Sequence, residues 1–115
     1  MNSLVILNYI KTLKIPHENE AVMQDFLYLK LKERFPKTLR EFSLSKKDRI
    51  DFFIEGVGIE CKVQGAPLRI YRQLERYCTH PEIVEIILIT SKFIKLPKTI
   101  MQKPTTSFSV GRAWF

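Results

Sequence analysis

Apolar residues recur along this chain with two periods, and the switches between them predict its elements. Over residues 3–13, Leu4, Val5, Leu7, Ile10 and Leu13 fall at roughly helical spacing, with Ser3 placed to cap the first turn. Pro16 interrupts that pattern. A second helix is predicted from His17 or Glu18 to Phe35, with Val22, Met23, Phe26, Leu27, Leu31 and Phe35 as one broad stripe. Glu18 and Glu20 fall in its first turn and Lys30, Lys32 and Arg34 in its last, the polarity a helix dipole favours. Pro36 ends it.

Period two takes over at residues 39–45, where Leu39, Glu41, Ser43 and Ser45 alternate with Arg40, Phe42 and Leu44. The charged run KKDR (46–49) then leads into a hairpin. On its first strand Asp51, Phe53 and Glu55 share one face, and Phe52 and Ile54 the other. A turn at Gly56-Val57-Gly58 leads to a second strand, with Glu60, Lys62 and Gln64 on one face and Ile59, Cys61 and Val63 on the other. Paired as a hairpin, the strands bring Asp51 and Glu60 close together on one face. Beyond Gln64-Gly65-Ala66, Pro67 opens a helix that runs to about Cys78. It is expected to bury Leu68, Tyr71, Leu74 and Cys78, to expose Arg69, Arg72, Gln73 and Arg76, and to close at His80-Pro81. The run IVEIILIT (83–90) is almost wholly apolar, the mark of a strand covered on both faces. A helix between strands 57–63 and 83–90 makes them a parallel, right-handed crossover pair. The tail from Ser91 is expected to hold a loop and a last strand, SFSVGRAWF. The expected class is α/β (α+β): one domain with a mixed central sheet of about 4–5 strands flanked by helices.

Composition changes this picture in one respect. The 115 residues carry 19 Lys and Arg against 12 Asp and Glu, a net charge of +7, which favours a polyanionic partner, either nucleic acid or an anionic membrane surface. Lys46, Lys47 and Arg49, with the basic tail over residues 92–103, read as phosphate contacts. No apolar run approaches the ~20 residues of a membrane span, and the start, MNSLVILNYIK, lacks the basic lead and long apolar segment of a signal peptide. Cys61 and Cys78 match no zinc or disulfide spacing and read as buried thiols of a reducing cytoplasm. His17 and His80, beside prolines, read as capping or solvated groups, and Trp114 and Phe115 as core or dimer contacts.

Asp51, Glu60 and Lys62 carry the chemistry. A carboxylate within a helix-covered sheet needs a partner. Magnesium accepts few carboxylates and keeps several waters. Cleaving a phosphodiester needs an activated water and relief of charge on phosphorus, both of which such a cation supplies. Lys62, two residues from Glu60 on the same face, is placed to stabilise the phosphorane or to help deprotonate water. The plainer alternative is a solvated face of an amphipathic hairpin.

Asp51 followed by Glu60-Cys61-Lys62 resembles the D…(D/E)-x-K signature of the PD-(D/E)xK nuclease superfamily, with Ile50 where the family's Pro stands. Gln73-Leu74-Glu75-Arg76-Tyr77 resembles the QxxxY motif of its RecB-type and lambda-exonuclease-like members. The resemblance covers about residues 18–91 and implies a restriction-endonuclease-like core. It further implies a metal-dependent nuclease acting on DNA, including branched DNA, with endo- and exonucleolytic cutting both open. Asp51, Glu60 and the Cys61 carbonyl would hold Mg²⁺, or Mn²⁺ as substitute. Glu20 is the first choice for an added acid from the preceding helix, with Glu18 and Asp25 as alternatives. Lys62 would act on the attacking water or the transition state, with Gln73 beside it, while Arg69, Arg72, Arg76 and Tyr77 orient substrate. Small members of the superfamily often act as homodimers. The rival expectation is a non-catalytic module on the same fold that binds nucleic acid or protein.

Overall fold

Three helices and six strands follow in the order α1 (Ser3–Ile10), α2 (Glu20–Arg34), β1 (Leu39–Ser43), β2 (Arg49–Ile54), β3 (Val57–Lys62), α3 (Pro67–Cys78), β4 (Glu85–Thr90), β5 (Thr99–Ile100) and β6 (Lys103–Ser109). This is a computed structural model, and it describes residues 1–110. The strands form one mixed sheet in the order β1-β2-β3-β4-β6-β5. The β1-β2-β3 meander is antiparallel, β3, β4 and β6 run parallel, and β5 returns antiparallel to β6.

The sheet therefore has six strands rather than four or five. β5 and β6 are joined by Met101 and Gln102, both left-handed at φ 51° and 66°. That is the backbone of a tight primed hairpin turn, formed here without the Gly or Asn that would announce it. The last strand starts at Lys103, and its expected end, with Trp114 and Phe115, lies outside the described residues. The central hairpin also turns one step earlier than expected. Ile54 pairs with Val57, so Glu55 (φ 44°) and Gly56 (φ 93°) are the turn and Gly58 belongs to the strand. Gly58 is small for a packing reason: a Cβ there would meet Ile50 Cδ1 at 2.5 Å and Ile83 Cδ1 at 2.9 Å.

Helices cover both faces. α1 and α2 bury Ile6, Leu7, Ile10, Met23, Leu27 and Leu31 against Phe52, Ile54, Val57, Ile59, Cys61, Ile87 and Ile89. On the other face α3 buries Ile70, Leu74, Tyr77 and Cys78 against Ile50, Ile83, Ile86 and Leu88. β4 thus contributes to both clusters, as its unbroken apolar run requires.

Each helix is set slightly differently from its sequence pattern. Asn2, not Ser3, caps α1, because the Ser3 N–H and hydroxyl both go to the Glu85 carboxylate at 2.7 and 3.1 Å. α1 turns Ile6 inward and leaves Leu4 and Val5 exposed. Asn19 caps α2 through a 2.9 Å bond from Val22 N–H, which makes Glu20 its first residue and leaves Glu18 outside; Val22 is exposed. In α3 the buried stripe starts from Ile70 and leaves Leu68 exposed and Tyr71 half-buried, so Tyr77, seven residues on, faces the sheet.

Candidate functional site

Strand pairing builds the site. From the turn, β2 and β3 pair as Ile54↔Val57, Phe53↔Gly58 and Phe52↔Ile59, and the ladder ends there. One step further, Asp51 and Glu60 replace backbone acceptors with carboxylates. Asp51 N–H donates to Glu60 Oε1 at 3.1 Å, and Cys61 N–H donates to Asp51 Oδ2 at 2.8 Å.

The neighbouring ladder is disturbed at the same level. β1 and β2 pair as Arg40↔Phe52 and Phe42↔Ile50, which leaves Glu41, at φ 52°, opposite Asp51. Face alternation breaks there on both strands. Arg40 lies over the Tyr28 ring of α2, whereas Phe42 stacks on Phe53 at 4.3 Å on the α3 side. Phe52 packs with α1 and α2, yet Ile50 packs with α3. A left-handed non-glycine residue costs about 1–3 kcal/mol and persists where its surroundings over-determine it. Here the kink directs the Asp51 carboxylate into the gap between β2 and β3.

Glu60 is 3% exposed and lies on the α3 side. Its Oε2 is 3.6 Å from Lys62 Nζ and 3.4 Å from the Tyr77 hydroxyl. That hydroxyl donates to the Arg49 carbonyl at 3.0 Å and accepts from Gln73 Nε2 at 2.8 Å. Glu20 Oε1 accepts from Val63 N–H at 3.3 Å, which brings the start of α2 to the end of β3.

Burial, followed by the Asp51 charge, pushes the Glu60 carboxyl up to about 8 against the pull of Lys62. Burial also raises Asp51, opposed by the Cys61 N–H bond and reinforced by Glu20. The Cys61 thiol is driven far up by burial and then by the same three acids, so it stays a protonated core group. Three carboxyls thus act on one another around one ammonium, and their repulsion favours holding a proton on Glu60.

Among the described residues, no three His, Cys, Asp or Glu side chains converge as a ready metal cage. The fit to a cation is through fewer side chains. A strand residue's N–H and C=O point to the same side, so the Cys61 carbonyl opens toward Asp51 as its N–H does. The buried Glu60 carboxyl, the half-buried Asp51 carboxyl and a carbonyl are hard oxygen donors, the set magnesium accepts when water fills its remaining positions.

Lys62 links this acid pair to a cleft of about 410 Å³ lined by Lys62, Gln64, Gly65, Arg69, Ile70, Gln73 and Arg76. No acid lines it, so the cleft suits an anion. Arg69 is exposed there, whereas Arg76 is also tied to Asp48 at 3.3 Å. The other residues expected to meet substrate are placed differently. Tyr77 is 2% exposed and braces Glu60 from behind, and Gln73 is held by the Tyr77 hydroxyl. Arg72 lies around the helix, on a depression shared with Leu68, Tyr71, Glu75 and Arg76. Arg49 turns to Glu41 at 3.7 Å, and Asp25 is held by Arg40 at 2.7 Å. Lys46 and Lys47 are exposed on the β1–β2 loop, and Glu18 lines a separate depression with Lys14 and His17. His80 pairs with Asp48 at 3.1 Å rather than capping α3.

Sequence reasoning missed Asp48 and Ser91. Asp48 lay inside a charged run and read as a turn residue. Ser91, at the end of β4, donates its N–H to the Lys62 carbonyl at 3.3 Å and its hydroxyl to the Val63 carbonyl at 3.1 Å. Only the parallel register of β3 and β4 reveals that position. No described helix is long and apolar enough to cross a membrane. Comparison with protein-family models, curated proteins and solved structures finds no match to this chain.

Proposed function

We propose that this chain is a metal-dependent nuclease with a restriction-endonuclease-like core, hydrolysing phosphodiester bonds in DNA. The opening of the β2–β3 ladder at Asp51 and Glu60 supports this most, because it gathers two carboxyls that burial and each other's charge make costly to ionise beside a cationic cleft. The order α2-β1-β2-β3-α3-β4, with β3 and β4 parallel, agrees with the core that the sequence resemblance implies.

Asp51, Glu60 and the Cys61 carbonyl would hold Mg²⁺ or Mn²⁺, with Glu20 nearby. When bound, such an ion would offset charge on the phosphoryl group and lower the pKa of water so that hydroxide is available near neutral pH. The chain's own residues do the rest. Lys62 offsets the negative charge that develops on phosphorus. Tyr77 and Gln73 position Glu60 and the Arg49 backbone. Arg69 and Arg76 take the neighbouring phosphates. One centre per chain cuts one strand, so cutting a duplex through calls for a homodimer. The free, buried Cys61 and Cys78 suit a reducing cytoplasm.

The test is cleavage of labelled plasmid, linear duplex, four-way junction and single strand with Mg²⁺, stopped by a chelator. Glu60→Gln is expected to lower kcat by about a thousandfold or more, and Lys62→Met by about a hundredfold, with the fold intact by circular dichroism. Absence of cutting on every substrate, or full cutting by Glu60→Gln, rejects the reading.

A further inference from the structure

Thr90, 1% exposed, closes β4, and its hydroxyl accepts from Lys92 N–H at 3.0 Å. A Thr side chain bonded to the N–H two residues on turns the chain and holds the residue between, here the half-buried Ser91. Ser91 grips the exit of β3 twice. Its N–H donates to the Lys62 carbonyl at 3.3 Å, and its hydroxyl donates to the Val63 carbonyl at 3.1 Å. Between those two carbonyls lies the Val63 N–H, which donates to Glu20 Oε1 at 3.3 Å. The Lys62 carbonyl and the Val63 N–H belong to one peptide unit. That unit joins the exit of β4 on one side to the first residue of α2 on the other.

A peptide unit is planar, so its carbonyl and its N–H cannot turn independently. Holding the carbonyl therefore aims the N–H, and a peptide that accepts through its oxygen donates more strongly through its nitrogen. What this N–H holds is an acid of the candidate site. The Glu20 charge reaches the pair on the hairpin: after burial, which acts first, it is among the causes that raise both the Asp51 and the Glu60 carboxyl. A hydroxyl at a strand end can also serve merely to pin a loop to the sheet. Here the bonds continue past the loop, through one peptide, to a carboxylate. We infer that Ser91 is a positioning residue for the cation site: by holding the Lys62–Val63 peptide it sets Glu20 beside Asp51 and Glu60 and so strengthens the grip on a divalent ion. This rests on the nuclease reading, which supplies the ion; Ser91 acts only through the peptide it holds.

The test is Mn²⁺ binding to the full chain by isothermal titration calorimetry, without DNA, in a double-mutant cycle of Ser91→Ala and Glu20→Gln. Glutamine keeps an oxygen for the Val63 N–H and removes the charge. Each single variant is expected to weaken Mn²⁺ binding about tenfold, as loss of an outer support to a metal site does. In the Glu20→Gln background Ser91→Ala should cost less than about twofold, because the group it steers no longer carries charge. In the metal-free chain the Val63 amide should exchange about fivefold faster in Ser91→Ala, as for one lost hydrogen bond. A residue that only pins the loop would cost the same in both backgrounds. That result, an unchanged Mn²⁺ affinity in Ser91→Ala, or an unchanged Val63 exchange rate overturns the positioning role. The two readings fail separately. A non-additive cycle without Mg²⁺-dependent cutting of DNA rejects the nuclease and keeps the positioning role, whereas cutting with an additive cycle does the reverse. No Mn²⁺ binding by the wild type overturns both.

Discussion

Two acidic clusters lie three residues apart on the same stretch of chain, and they are built in opposite ways. Asp48, 8% exposed, faces His80 Nε2 at 3.1 Å and Arg76 Nε at 3.3 Å, and these partners, His80 first, hold its carboxyl below the usual range. Glu60, 3% exposed, faces Asp51 and a single ammonium, and its carboxyl rises to about 8. Both are nearly closed to solvent, but at Glu60 burial and then the Asp51 charge outweigh the one ammonium, whereas at Asp48 the two partners outweigh burial. Asp48 ties the β1–β2 loop to α3, as a structural ion pair should. The Asp51–Glu60 pair is held together at the expense of both members, and underpaired buried charge of this kind marks sites built for something that binds.

The largest expected effect separates the clusters by activity. Asp51→Asn should abolish Mg²⁺-dependent cleavage, a loss of about a thousandfold or more, while Asp48→Asn leaves kcat within a few-fold of wild type. Stability should move the other way. At pH 8, Asp51→Asn is expected to stabilise the chain by about 1–2 kcal/mol by removing like-charge repulsion, and Asp48→Asn to destabilise it by about 1–2 kcal/mol. Urea unfolding of both variants measures this, and a shift of the same sign in both would erase the contrast.

The well-paired cluster was the one hidden in the sequence. Asp48 sat in the run Lys46-Lys47-Asp48-Arg49, which reads as solvated, and its partners lie 28 and 32 residues away. Glu60 and Lys62 were legible because alternation fixes their shared face and the apolar run at 83–90 announces a covered sheet. The helices and the first four strands were likewise legible from period and punctuation. The kink at Glu41 and Asp51 was not. Phe52 and Ile54 read as one apolar face, and strict alternation would extend it to Ile50, yet Ile50 packs on the opposite side from the other two. The burial of Tyr77 was missed because Leu68 and Tyr71 drew the expected stripe to one side of the real one, which shares Leu74 and Cys78 with it. β5 and the start of β6 escaped because their turn uses Met101 and Gln102, residues with no turn signature.

A smaller effect concerns pH. Glu60 rises from an ordinary 4.5 to about 8, so between those values the folded chain holds a proton that the unfolded chain has released. Its contribution to stability is therefore full below 4.5 and lost as pH climbs to about 8, at no more than about 1.4 kcal/mol per pH unit. Asp51 is raised and acts in the same direction. Asp48 acts oppositely, contributing above its ordinary 3.8 and losing that contribution as pH falls through its lowered value. Without divalent ions, Tm is expected to fall from pH 5 to pH 8.5 in the wild type and to fall less in Glu60→Gln. Mg²⁺ should raise Tm more at pH 8 than at pH 6, because it competes with the proton that Glu60 holds.

The smallest effect is expected where the clusters meet. The Tyr77 hydroxyl donates to the carbonyl of Arg49, the residue after Asp48, and lies 3.4 Å from Glu60 Oε2. Tyr77→Phe keeps the ring against Ile70 and Leu74 but leaves the Arg49 carbonyl without its donor, at a cost of about 1 kcal/mol. Gln73 is half-buried and can turn its amide to water. Activity should fall about 5- to 10-fold, as expected for one lost neutral hydrogen bond to a positioning group. The pH profile carries the sharper information. Turned from the Arg49 carbonyl to Glu60 Oε2 at 3.4 Å, the same hydroxyl proton favours the charged carboxylate, so its removal should move the rise of kcat/KM to higher pH. A role confined to holding α3 on the sheet would lower Tm and leave that profile in place, and the two acidic clusters would then be neighbours without being coupled.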